Sequence, residues 1–228
     1  MITILPSTTE KPLQIIGTMA GVCWDSNTSD PDKNRRRAIE CITSGHDRVL
    51  EWPTVDLIVD GYSAKCIRET MRHIVGTSVL QASTRYIDYE KKGVEVVTPH
   101  SVANQELAKE AWDETIEAIK TGMSKLKALG IPNEDLTNLL PLAYKTKMVW
   151  KVNLRTLIHF MQIRLCSRSF WEIRELSTDI CEALRAYSEE WNEIVESLFV
   201  PKCIAAGYCI ESKSCGLKPK KEEFFKFN

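Results

Sequence analysis

The chain has 228 residues, 43% of them hydrophobic and 27% charged, a composition suited to a globular protein with one continuous core. Its formal net charge of −1 supplies no basic field, which excludes charge-driven binding of a nucleic acid polymer or an anionic membrane. No apolar run approaches the roughly 20 residues of a spanning helix and Met1–Lys11 lacks a signal-peptide pattern, so the eight cysteines are expected as reduced thiols in the cytoplasm.

In chain order, the apolar run Leu13–Ala20 predicts an early strand. Arg35–Ser44 predicts a helix with Ala38, Ile39 and Ile42 on one face, closed by Gly45. Thr54–Asp60 alternates, with Val55, Leu57 and Val59 on one side of a half-buried strand. Ser63–His73 predicts a helix capped by Ser63, Ser78–Ile87 an extended segment and Gly93–Val97 a further strand. From residue 100 the pattern is helical. Ala108, Trp112, Ile116, Ile119, Met123 and Leu126 form a stripe that Gly130-Ile131-Pro132 stops, and Asn133 is placed to cap a short helix ending near Pro141. Val152–Leu165 predicts a buried segment, and Ile173 to Leu198 one long helix ended by Pro201. Residues Lys218–Asn228 predict a frayed, solvated tail. The sum is a single α+β domain over residues 1–228: a strand-rich first half, a long-helix second half, and a Cys- and Lys-containing extension from about residue 200.

Walker, GxGxxG, HExxH and GxSxG motifs are absent from the sequence. Two segments instead place cationic and polar residues among apolar ones. In the first, Arg72-His73 precede Gln81 and a turn carrying Ser83, Thr84 and Arg85, whose hydroxyls and guanidinium fork suit a phosphate. The same pattern also fits a strand with a surface arginine. In the second, Asn153, Arg155, His159, Gln162 and Arg164 share one segment. On a helix, Arg155 and His159 are four apart and share a face with Gln162, while Arg164, nine residues on, points elsewhere. Such cations suit an anionic ligand, or internal salt bridges to Glu172 or Glu175. Cys203, Cys209 and Cys215 are evenly spaced without CxxC pairs or a following histidine, so no metal is expected there.

Arg72-His73 with Ser83-Thr84-Arg85-Tyr86 is similar to the two ends of the RHR-x7-S-x-R motif of the flavin-dependent thymidylate synthases, the ThyX family. Trp150 to Leu157 and Phe160 to Ile173 resemble that family's long helical stretch, and Gly45-His46 with Leu50-Glu51 resembles its upstream turn. The matches run in the family's order from about Arg35 to Leu184. There are departures: Ile74 stands where the motif has its second arginine, the segment to Ser83 is one residue longer, and Trp52 replaces a histidine. Thr137 and Asn138 occupy the stretch where an arginine usually reaches the nucleotide.

The resemblance implies a ThyX-like homotetramer with a mixed or antiparallel sheet, binding FAD at subunit interfaces and converting dUMP to dTMP. It implies Arg72, His73, Asn153, Arg155 and His159 as flavin contacts. Gln81, Ser83, Thr84 and Arg85 are implied for the nucleotide, and Arg164 for the uracil ring, where it would stabilise developing charge. Methylenetetrahydrofolate is the implied carbon donor and NADPH the implied flavin reductant. No cysteine sits in the Pro-Cys-His setting of the classical thymidylate synthase, and the flavin family needs none. The departures leave open a homologue that modifies another pyrimidine nucleotide at C5, or a non-catalytic nucleotide-binding protein.

Overall fold

The computed structural model describes residues 1–225; the last three positions of the predicted Lys218–Asn228 tail lie outside the described residues. The main elements are β1 (Ile2–Ile4), α1 (Pro12–Cys23), α2 (Pro31–Thr43), β2 (Thr54–Ser63), α3 (Ala64–Thr70) and β3 (Thr77–Gln81). They continue as α4 (Glu106–Ala128), β4 (Lys145–Asn153), α5 (Leu154–Arg164), α6 (Trp171–Tyr187) and α7 (Glu189–Leu198). The strands form one sheet in the order β1-β2-β4-β3. Lys151 pairs with Asp56 and Lys147 with Asp60, so four steps back on β4 match four steps forward on β2, the register of an antiparallel ladder. By backbone contacts the chain falls into two compact units. One comprises Met1–Ile58, Arg72–Val79 and the chain from Val149 onward; the other comprises Val59–Met71 and Leu80–Met148.

In the first unit, Leu13–Ala20 is not a strand but the body of α1. Its buried residues Leu13, Ile16, Gly17 and Ala20 recur at helical steps, and Pro12 presets the first turn. A short apolar run reads equally as strand or helix until that spacing is weighed. Helices α1 and α2 approach closely because position 17 is glycine: a Cβ there would lie 1.8 Å from the Asn34 carbonyl oxygen. Asp30 caps α2 by accepting from the Asp32 and Lys33 amides, which starts that helix earlier than its apolar pattern suggests. Ala38 is buried as expected, whereas Ile39 is exposed.

The predicted long helix from Ile173 to Leu198 is two helices, broken at Ser188. Ser188 is extended; its hydroxyl donates to the Glu10 carbonyl at 2.9 Å and accepts from the Trp191 amide at 3.3 Å, so it caps α7. The same corner holds the N-terminal segment. Trp191 Nε1 donates to the Thr9 carbonyl at 2.7 Å, and Glu190 accepts from the Leu13 and Gln14 amides at 2.7 and 3.3 Å. Glu190 thus supplies the carboxylate cap that α1, preceded by Lys11, lacks locally. Trp150, Phe160, Leu157, Met161, Leu176 and Trp191 are fully buried in this unit's core. The predicted frayed tail is folded as far as Phe225: Cys209 bridges Lys220, and Tyr208 packs against Phe224 and Phe225 at 5.3 and 5.2 Å.

In the second unit, Ser63 caps α3 through the Cys66 amide, as the sequence predicts. The core gathers Tyr89, Val94, Met123 and Tyr144, with Ile119 of the α4 stripe packed against it. Gly93–Val97 forms a single bridge, Val96 to Tyr144, rather than a strand. Strand β4 belongs to the half of the chain read as helical, and its alternation buries Thr146, Met148, Trp150 and Val152. The division into a strand-rich first half and a helical second half is therefore corrected: α1 and α2 lie early, and one of the two long strands lies late.

Candidate functional site

Asn153 ends β4 and begins α5, where its side-chain oxygen accepts from the Thr156 amide at 2.9 Å. Its own amide donates to the Gly76 carbonyl at 2.9 Å. Gly76 has a φ of +69°, and a Cβ there would sit 2.2 Å from the side-chain Nδ2 of Asn153. The Thr156 hydroxyl donates to the Val75 carbonyl at 2.7 Å, and that of Thr77 to the His73 carbonyl at 2.8 Å. The bonds to Val75 and Gly76 stitch the Arg72–Gly76 loop to the start of α5, and the Thr77 bond closes the loop on itself. As a result Arg72, His73, Asn153, Arg155 and His159 line one open cavity of about 440 Å³. Arg155 Nη1 lies 2.6 Å from a carboxylate oxygen of Glu51 on the same wall. Arg155 therefore pairs across the fold with Glu51, not with Glu172 or Glu175.

Arg155 and His159 also line a second cavity of about 360 Å³, together with Gln162, Asp47 and Leu50. The helical spacing that places Arg155, His159 and Gln162 on one face thus puts two donors on a wall common to both cavities. The His73 ring meets His159 at 5.7 Å and Phe160 at 5.1 Å, both edge-on. Burial, then the Arg164 charge, then His159 push its pKa down to about 4, so His73 is a neutral imidazole at physiological pH. Arg164, the last residue of α5, lines neither cavity, though its charge reaches His73.

The second unit holds the remaining predicted residues. Gln81 is the exposed last residue of β3. In the turn that follows, the Arg85 amide donates to the Ser83 hydroxyl oxygen at 3.2 Å, leaving that hydroxyl's proton to donate elsewhere. Arg85 Nε donates to Glu134 at 3.0 Å. Asn133 does not cap the helix at 133–136, whose cap position is Pro132. Its amide donates instead to the carbonyls of Thr84, Arg85 and Ile87 at 3.4, 2.9 and 3.0 Å.

Ile74 and Trp52 are exposed, at 77% and 59%. Thr137 and Asn138 donate to the Glu134 carbonyl, closing the local helical turn. Sequence reasoning assigned no role to Gly76, Thr156 or Glu134, took Asn133 for a helix cap, and read Glu51 only as part of the upstream turn. Of the three without a role, only Gly76 carried a local signal, a glycine directly after an apolar pair. Among the described residues, no group of three or more His, Cys, Asp or Glu side chains is placed to hold a metal ion. No helix of the described residues is long and apolar enough to cross a membrane.

The family described as "Thymidylate synthase complementing protein" matches residues 4–188. The flavin-dependent thymidylate synthase of Pyrococcus abyssi is 34% identical over 89% of this chain and 86% of its own length. A Helicobacter pylori flavin-dependent thymidylate synthase, solved with FAD and dUMP, superposes with a TM-score of 0.61 at 21% identity, covering 84% of this chain and 98% of that one. The UMP/dUMP methylase PolB from Streptomyces cacaoi, solved with 5-Br dUMP, gives a TM-score of 0.72 at 16% identity over 87% and 95%. At those identities the two structures speak to the fold alone. The family match, which spans most of the sequence, and the Pyrococcus relative show that this chain belongs to the thymidylate synthase complementing protein family, the ThyX-type flavin-dependent thymidylate synthases.

Proposed function

We propose that the protein is a flavin-dependent thymidylate synthase that methylates dUMP reductively to dTMP, with FAD as its cofactor. Methylenetetrahydrofolate is the one-carbon donor, NADPH the reductant, and the working form a cytoplasmic homotetramer. The observation that carries this reading is that Arg155 and His159 line both cavities. An elongated dinucleotide with an anionic centre fits that arrangement, since the shared wall offers a guanidinium and an imidazole. Apolar Ile74 and Val75 line one cavity, and Leu50 and Ile158 the other, as a ligand with flat ring systems at its ends requires.

FAD, when bound, supplies the redox chemistry. The chain's own residues bind and orient. Arg155 and His159 hold the anionic centre, while Arg72 and Asn153 hold the ligand at the end of the cavity they line. His73, neutral and wedged between His159 and Phe160, offers hydrogen bonds without burying a charge. Ser83 and Arg85 grip the dUMP phosphate, with Gln81 and Thr84 beside them in sequence. Arg164 meets negative charge that develops on the uracil ring. Exposed Ile74 and Val75, each more than 75% accessible in the single chain, suit burial against further copies.

The test combines flavin absorbance of the purified protein, direct dUMP binding and steady-state dTMP formation. A phosphate contact that is unchanged through the reaction affects the Michaelis constant more than turnover. Arg85→Ala should therefore weaken dUMP binding and largely spare turnover at saturation. Arg164→Ala should keep dUMP binding within about an order of magnitude while turnover falls about 10²–10³-fold. Protein that holds FAD yet neither binds dUMP nor converts it would overturn the reading.

A further inference from the structure

Resting on the reading of the Ser83–Arg85 turn as the nucleotide phosphate site, we infer that Asn133 and Glu134 are the positioning pair for that site. Asn133 fixes the backbone of the turn and Glu134 fixes the rotation of the Arg85 guanidinium. The geometry for the first part is a single amide group donating to three carbonyls, those of Thr84, Arg85 and Ile87, at 2.9–3.4 Å. The turn is otherwise closed by the Ser83 hydroxyl, which accepts from the Arg85 amide, and by the Ser83 carbonyl, which accepts from the Ile87 amide at 3.2 Å; the two N–H groups of the Asn133 side chain, shared among three carbonyls, tie it to the neighbouring turn.

For the second part, Glu134 takes the Nε–H of Arg85 at 3.0 Å. A guanidinium carries five N–H donors in a fixed plane, so a carboxylate engaging Nε leaves the terminal nitrogens to receive a second oxyanion. Residues 133 and 134 are adjacent in sequence, so one short turn controls both features. The Arg85–Glu134 pair is itself more than half exposed on both side chains, and an ion pair of that kind contributes little to folding. Its effect belongs to orientation rather than stability, which makes Glu134 variants clean probes.

Two outcomes are opposed in sign. A carboxylate that only competes with phosphate for Arg85 would lower affinity, and its removal would tighten dUMP binding. A positioning carboxylate raises affinity, and its removal weakens binding. Calorimetric titration of dUMP into the FAD-loaded enzyme should show Glu134→Ala and Asn133→Ala each binding roughly tenfold more weakly, the factor carried by about 1.4 kcal/mol. Turnover at saturating dUMP should stay within about twofold. Glu134→Gln, whose amide oxygen can still accept from Nε, should recover part of the loss, which a merely structural role would not predict. Arg85→Ala in parallel separates the two levels of the argument. If Arg85→Ala weakens dUMP binding while the Glu134 variants bind as wild type or tighter, the positioning role is wrong and the phosphate site stands. If Arg85→Ala binds dUMP as wild type does, the phosphate site is wrong and the positioning role falls with it. Should Asn133→Ala fail to fold, the two Glu134 variants carry the decision alone.

Discussion

Gly76→Ala is the substitution whose cost the structure specifies in most detail. Two separate penalties meet at this position. A φ of +69° is the left-handed region, where a Cβ costs roughly 1–2 kcal/mol. The added carbon would also lie 2.2, 2.7 and 2.9 Å from three atoms of the Asn153 side chain, so that side chain must move. Moving it breaks the bond to the Thr156 amide that caps α5, and losing such a cap costs about 1 kcal/mol. Gly45 provides the control, because it lies in the same unit with a φ of +76° and a Cβ added there would meet nothing within 4 Å. Gly45→Ala therefore carries only the backbone penalty. Thermal unfolding should place Gly76→Ala about 2–4 °C below Gly45→Ala, the shift that about 1 kcal/mol produces in a chain of this size. Flavin retention should fall in Gly76→Ala and not in Gly45→Ala, since only the former disturbs the loop carrying Arg72 and His73. Equal melting temperatures, or a Gly76→Ala protein that keeps its flavin, would refute the claim that this contact sets the loop.

Three further outcomes follow from individual contacts. Arg155→Ala should weaken FAD binding by roughly tenfold or more in a fluorescence titration, since it removes a charge-assisted donor from both cavities; unchanged affinity would reject Arg155 as a flavin contact. Glu190→Ala should destabilise the protein by about 1 kcal/mol in urea unfolding, because the α1 amides of Leu13 and Gln14 lose the carboxylate that accepts from both. For His73, a folded pKa of about 4 against an ordinary 6.5 means that the unfolded chain binds the extra proton between those values. That contribution to stability is present above pH 6.5 and is lost as pH falls toward 4, and His73→Gln should flatten this part of the stability profile.

Legibility of the fold followed the range of the interaction. The alternation of Val55, Leu57 and Val59 and the cap at Ser63 are local features, and both stand as read. The helical stripe through Ile116 and Met123, with its stop at Gly130, is local too. Leu13–Ala20 failed because a largely apolar run of eight residues suits either state, and what decides is α2 packing on Gly17 together with Glu190 capping the helix from 177 residues away. Strand β4 alternates as clearly as β2 does, but its lysines, placed on the exposed face, masked the buried Met148, Trp150 and Val152. The break at Ser188 was hidden by an apolar stripe that continues in phase across it, while the serine spends its hydrogen bonds on Glu10 and Trp191.

The site divides along the same line. Spacing alone placed Arg155, His159 and Gln162 on one face of α5, and they line one cavity. The carboxylates that hold the two arginines were not legible, because Glu51 lies 104 residues from Arg155 and Glu134 lies 49 from Arg85. Both pairs are largely exposed and contribute little folding energy, so on the proposed reading their value lies in setting which edge of each guanidinium faces the ligand. The same reasoning explains how Ile74 can stand where the family motif has an arginine. The loop is held by backbone groups of His73, Val75 and Gly76, bonded to Thr77, Thr156 and Asn153, and none of those bonds involves the side chain at position 74. A change at that position leaves Arg72 and His73 where they are. What it removes is one positive charge at the cavity wall, so the loss should appear in flavin affinity and in its salt dependence rather than in the shape of the site.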